Sequence, residues 1–157
     1  MDQNPNTFSD ISNNEFGRSI KLYNPKMKLN VQAVYKRGNN WPTINVEIAP
    51  NTAGNWDGKI SLQVHPEIEL PEILPVLLGR SVRCEFSYHG PNRNKGYSFT
   101  LFDDGSVHVQ VSEAGRVFYF RLSRGERFHV ASLVLEQLSS NSSLSPSDTV
   151  SLILSMR

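Results

Sequence analysis

Two short stretches of this 157-residue sequence interleave cations with aromatic rings. The longer is Tyr88-His89-Gly90-Pro91-Asn92-Arg93-Asn94-Lys95-Gly96-Tyr97, and the shorter is Lys36-Arg37-Gly38-Asn39-Asn40-Trp41. Arg and Lys neutralise phosphates, while Tyr and Trp offer flat faces on which bases stack at roughly 1–3 kcal/mol each. Both stretches also carry the Gly and Asn of tight turns, so each has a plain structural reading. Tyr88 and Tyr97 can pair across two strands, and Trp41 can sit partly buried beside a turn. A third ring, Trp56 in Trp56-Asp57-Gly58-Lys59, reads more naturally as packed, with Lys59 free to meet a phosphate.

Catalytic chemistry finds no support. The sequence has no Gly-rich phosphate loop, no paired-carboxylate motif and no Cys–His spacing with a known mechanism. Asp103-Asp104 precedes Gly105 and reads as a turn. The four His (65, 89, 108 and 129) are dispersed along the chain, and with the lone Cys84 they make a poor zinc set. No catalytic residue, cofactor or metal is expected.

These cationic and aromatic groups need a frame, and composition allows one. Leu, Ile, Val and Phe make up about 28% of the chain, above the roughly 20% typical of disorder. Sixteen Lys and Arg against fifteen acids give a net charge of +1, which excludes a polycation. The local balance is more telling: residues 80–130 hold eight cations and five acids. A polyanion site depends on such clustering more than on net charge. There is no apolar run of membrane-spanning length and no leader-like N-terminus. A cytoplasmic protein is expected, associated with the nucleoid if the source is bacterial.

Hydropathy assigns the elements. Residues 1–20 lack periodicity and read as a flexible tail, or as a partner-binding peptide built on Phe8, Ile11 and Phe16. Period-two alternation follows at Leu29–Tyr35, Ile44–Ile48 and Ile60–Val64. Leu70, Ile73, Leu74, Leu77 and Leu78 then take helical spacing, with Pro71 in the first turn, Pro75 shortening the helix and Gly79 ending it. Alternation resumes at Val82–Tyr88, Tyr97–Phe102 and Val107–Val111, with Asp103-Asp104-Gly105 and Glu113-Ala114-Gly115 as hairpin turns. Val117–Leu122 is nearly all apolar or aromatic, and Phe118, Tyr119 and Phe120 are expected mostly in the core. A second helix is expected over Glu126–Leu138, burying Phe128, Leu135 and Leu138. Ser139–Ser143 reads as a linker, and Ser145-Pro146-Ser147-Asp148 starts a short last helix.

The pattern therefore occurs twice, as three strands and a helix over about 21–79, then four strands and a helix over 80–138. The fold class is α+β, with two tandem sheet-plus-helix half-repeats and a C-terminal helix in 139–157. Each sheet is expected to be backed by its own helix. The other faces then carry Gln32, Lys36, Asn45, Lys59, Ser61 and Gln63 in the first half. In the second they carry Arg83, His89, Ser98, Thr100, Phe102, His108 and Gln110. Cations, amides, hydroxyls and an aromatic are the groups that contact phosphates and stack on bases.

This duplicated organisation, best expressed at Lys59–Val64 running into Leu70–Gly79 and at Gly115–Leu122 running into Phe128–Leu138, resembles the Whirly and transcriptional-coactivator-like single-stranded-DNA-binding superfamily. The chain lacks the Lys-Gly-Lys-Ala-type motif of the plant Whirly proteins. The resemblance implies an exposed sheet surface gripping a single strand with little sequence preference, in a symmetric oligomer of two or more chains. Expected phosphate contacts are Lys36, Arg37, Lys59, Arg83, Arg93 and Lys95, and expected stacking rings are Trp41, Tyr88 and Tyr97. The partner is single-stranded DNA or RNA, with DNA favoured. A protein-interaction or oligomeric scaffold of the same fold, contacting its partners through sheet edges, is the alternative that the near-zero net charge favours.

Overall fold

The computed structural model describes residues 17–52 and 55–156. The order is β1 (Ser19–Tyr23), β2 (Met27–Tyr35), β3 (Pro42–Pro50), β4 (Ile60–Gln63), α1 (Leu70–Leu77), β5 (Arg83–His89), β6 (Lys95–Leu101), β7 (Val107–Glu113), β8 (Arg116–Leu122), α2 (Arg124–Ser142) and α3 (Pro146–Ser155). Two four-stranded antiparallel meanders result, ordered β1-β2-β3-β4 and β5-β6-β7-β8. The expected half-repeats are present, and the first has four strands where three were expected. Most of the expected tail lies outside the described residues, but its end belongs to β1, where Ile20 and Leu22 point into the core. An Asn24 turn makes the β1–β2 hairpin, with Asn24 Oδ1 accepting the Lys26 and Met27 amides at 2.9 and 2.7 Å.

Strand alternation sorts each sheet into two faces. Val31, Ile44, Val46 and Ile60 of the first sheet and Phe99, Val109, Phe120 and Leu122 of the second are fully or almost fully buried, in one shared core. The helices do not cover the sheets that precede them. Helix α1 packs on β5 and β6 of the second sheet, whereas α2 reaches across to β1, β2 and β3 of the first as well as touching β8. The exchange is fastened by polar side chains. Gln137 Nε2 donates to Thr43 O at 2.8 Å and Asn141 Nδ2 to Pro42 O at 2.8 Å. Arg127 donates to Leu77 O at the end of α1 (2.6 Å) and to Gly105 O (2.9 Å).

Helix ends follow their local sequence. Gly79 takes φ +81° beyond α1, where the Arg80 amide donates back to Pro75 O at 2.8 Å. Ser123 and Glu126 form a reciprocal capping box at the start of α2. The residues expected to link α2 to α3 are helical through Ser142, and Ser143 ends α2 at φ 58°. The buried stripe of α2 is Val130, Leu133, Val134 and Leu138, with Leu135 half-buried. Phe128, expected inside, is 67% exposed. It sits two residues, about 200° of helix rotation, from Val130, so both cannot face the core. Among the described residues no helix is long and apolar enough to cross a membrane.

Candidate nucleic-acid interface

On the second sheet the register sets two rows across the face turned away from the core. One row is Arg83–Thr100–His108–Arg121 and the other Glu85–Ser98–Gln110–Tyr119. Tyr119, expected in the core, is 59% exposed, because Phe120 and Leu122 take the inward positions of β8. Phe102 stacks on His108 with ring centroids 3.9 Å apart and planes 27° from parallel. Tyr119 follows at 6.4 Å and 19°. Three near-parallel rings thus lie on an open face, and the row through His108 ends in an arginine on each side. A shallow hollow of about 270 Å³ lies among Arg83, Ser98, Phe102, Gln110 and Tyr119.

The charges here are ordered by neighbours. Arg83 Nη1 donates to Thr100 Oγ1 at 2.6 Å and also meets Glu85 at 3.4 Å, while Arg121 pairs with Asp104 at 3.1 Å. The Ser106 hydroxyl and amide, then Arg121, hold the Asp104 carboxyl far below its ordinary range. Desolvation, followed by the Arg121 charge, lowers His108 and keeps its ring neutral at pH 7. Phe102 covers one face of that ring, and the exposed Phe102 and Tyr119 are the rings a base reaches.

A second feature is a groove of about 620 Å³ between β4 and the β5–β6 hairpin, lined by Arg37, Asn45, Gln63, His65, Tyr88 and Lys95 among others. The two cation–aromatic stretches therefore meet in space. The hairpin carries a bulge between Phe86 and His89, and Tyr88 (φ 66°) and Arg93 (φ 54°) are both left-handed. Tyr88 is thrown outward, 72% exposed, with the Arg93 guanidinium 6.0 Å from its ring centre. His89 turns inward and is buried.

Solved structures similar in the whole fold include two from plants. The crystal structure of WHY1 from Arabidopsis thaliana is similar at 17% identity and TM-score 0.55, covering 78% of this chain and 88% of that one. The plant transcriptional regulator PBF-2 is similar at 17% identity and TM-score 0.58, covering 84% and 85%. This is a Whirly-like fold. No protein-family model and no curated protein sequence matches the chain.

Within the Whirly-like frame the expected contact residues divide. Arg37, Tyr88 and Lys95 line the groove, with Arg93 beside it. Lys95 Nζ is engaged there, donating to Ser61 O at 2.6 Å. Lys36 is held by Glu67 at 2.9 Å, and the same bond is the main reason that the Glu67 carboxyl is lowered. Lys59 pairs with Glu47 at 3.2 Å on the polar face of the first sheet. Trp41 is partly exposed on the β2–β3 loop, and Arg83 lies on the second sheet away from the groove. Trp56 is packed under Lys28, whose Nζ is 4.7 Å from the ring centre.

Tyr97 is a correction. Expected as a stacking ring, it is 3% exposed and donates its hydroxyl to Glu69 Oε1 at 2.8 Å, so no base reaches it. It points inward because β6 turns its odd positions, Tyr97 and Phe99, to the core. The other carboxylate oxygen, Glu69 Oε2, is 2.8 Å from His89 Nε2. The His65 amide donates to Glu69 Oε1 at 3.2 Å. Burial opposes the Glu69 charge, but hydrogen bonds from His89, the His65 amide and Tyr97 outweigh it and lower the carboxyl. His65 and His89, dispersed in sequence, stack at 4.7 Å, and donor atoms of His65, Glu69 and His89 lie within 4.8 Å of one another.

Sequence reading placed Phe102 and His108 on a polar face but passed over Tyr119 and Arg121. The signal that finds them is the register of β7 against β8: once His108 faces outward, its partner Arg121 and the next outward residue, Tyr119, do too.

Proposed function

We propose that the protein binds single-stranded nucleic acid, DNA in preference to RNA, with little sequence preference and without catalysis. The observation that carries this reading is the Phe102–His108–Tyr119 ring row on an open sheet face that also presents Arg83 and Arg121. Ring faces accept any base, so affinity without sequence readout follows. The rings stack on bases and the two arginines meet phosphates, with Arg37 and Arg93 at the groove extending the track. The Whirly-like fold supports the reading, since that superfamily implies a single strand gripped on exposed sheet surfaces. The working form is a homo-oligomer in the cytoplasm, on the nucleoid if the source is bacterial.

Titration of labelled oligo-dT at several salt concentrations tests the proposal. Affinity should fall with salt by about 0.7 log units per log unit for each phosphate contact. Tyr119→Ala should weaken binding about 5- to 150-fold, the equivalent of one stack at roughly 1–3 kcal/mol, and leave the salt slope unchanged. Arg83→Gln with Arg121→Gln should flatten the slope by about 1.4. Absence of oligo-dT binding at low salt overturns the function. Binding that is indifferent to all three substitutions overturns the assigned face.

A further inference from the structure

The His65, Glu69 and His89 cluster at the floor of the groove is not needed for gripping a nucleic acid, and its donor set has a chemistry of its own. We propose that His65, Glu69 and His89 form a site for one divalent d-block cation of the zinc class, which clamps the approach to α1 onto the β5–β6 hairpin. Two imidazoles and a carboxylate are an established donor set for Zn²⁺, which holds nitrogen at about 2.0–2.1 Å and oxygen at about 2.0–2.2 Å. Tetrahedral bonds of that length set donors about 3.3 Å apart. The three side chains already place donor atoms within 4.8 Å of one another, and Glu69 Oε2 is 2.8 Å from His89 Nε2. Two of the three are fixed by burial, Glu69 and His89, while His65 is exposed and free to adjust its ring.

The surroundings match what orients metal ligands elsewhere. A ligating carboxylate is commonly held by hydrogen bonds to its other oxygen. Glu69 Oε1 accepts from the Tyr97 hydroxyl at 2.8 Å and from the His65 amide at 3.2 Å, so Oε2 is the oxygen aimed at His89 Nε2. A cation there replaces the proton shared by that pair. Imidazole donors select zinc, nickel, cobalt or copper over magnesium and calcium, which prefer cages of six or more oxygens. His65 and His89 both line the groove, so the fourth coordination position opens towards it and takes water or an anionic oxygen. Since the ligands come from both half-repeats, the ion bridges them.

The test uses the full chain without any histidine tag, stripped with EDTA and free of nucleic acid. Calorimetric titration with ZnCl₂ should give one equivalent per chain with micromolar or tighter affinity, and MgCl₂ in its place no heat. Co²⁺ should give the visible absorption of a four-coordinate complex. His65→Ala, at an exposed ring, should melt as wild type in EDTA yet bind Zn²⁺ at least tenfold more weakly. His108→Ala, on the opposite face, should bind as wild type. Failure to bind Zn²⁺ at 100-fold molar excess overturns the site, as does His65→Ala with undiminished affinity. Neither outcome touches oligo-dT binding, which is measured separately in EDTA.

Discussion

Replacing Tyr97 by Phe removes one oxygen from the interior and leaves the rest of the packing in place. The ring keeps its neighbours Phe86, His89 and Phe99, at centroid distances of 5.6, 5.5 and 6.0 Å. What disappears is the 2.8 Å bond to Glu69 Oε1. Burial and the adjacent Glu69 charge push the Tyr97 phenol far above its ordinary value, so at any ordinary pH the hydroxyl is a donor. A buried hydrogen bond to a charged group contributes about 1.5–3 kcal/mol. Glu69 Oε1 retains only the longer His65 amide bond, so the loss should fall within that range. With a urea m-value of about 2 kcal/mol per molar, the unfolding midpoint should drop by roughly 1 M. Trp41 and Trp56 fluorescence reports the transition, and circular dichroism should give the same midpoint. The comparison belongs in EDTA, so that no bound cation masks the difference.

The pH dependence has a fixed sign. Glu69 is lowered from the ordinary 4.5, so its stabilisation is fully present above 4.5 and is lost as pH falls through the lower folded value. The gap between wild type and Tyr97→Phe should therefore narrow on acidification below 4.5, as the carboxylate that strengthens the bond is neutralised. A loss under 0.5 kcal/mol at pH 7, or a gap that widens in acid, refutes the reasoning.

Two other outcomes follow from titratable groups. Burial holds the Cys84 thiol up at about 12, so at pH 8 it should resist a thiol reagent in the native protein and react at once in denaturant; rapid native labelling contradicts the burial. His108 should titrate below 6.5 in the free protein by NMR and shift upward when oligo-dT is added, because a nearby phosphate favours the imidazolium; an unmoved midpoint places the strand elsewhere.

Alternation made most of the strands visible, because one face of each is buried and the other is polar. Where that contrast fades, sequence reading fails for physical reasons. The Ser19–Tyr23 strand offers only two inward residues and abuts an Asn-rich, unpatterned stretch. Val117–Leu122 carries apolar or aromatic residues on both faces, with Arg121 the one exception, so its outward Tyr119 looks like core. Phe128 lies at a helical spacing from Ala131 and Leu135, and only the position of the shared core rotates the buried stripe of α2 to Val130, Leu133 and Val134. The residue types of the groove were legible, Arg37 in one loop and Tyr88, Arg93 and Lys95 in the other. Their convergence was not, because it depends on how the two sheets face each other. The meeting of His65 with His89, and the crossing of each helix to the other sheet, are non-local in the same way.

The crossed helices impose an order on synthesis. A ribosome releases the first sheet while the helix that covers it, α2, has yet to be made. At about 5–20 residues per second, the stretch from β4 to the end of α2 takes on the order of 4–16 s. During that interval Ile44, Val46 and Ile60 have a sheet to belong to but nothing complete to face. Helix α1, made next, waits in turn for β5 and β6. The nascent chain is thus committed to remaining open until its last third emerges, and its window for mispairing with a neighbouring chain, or for being held by a chaperone, is set by the distance along the polypeptide between a sheet and its borrowed helix.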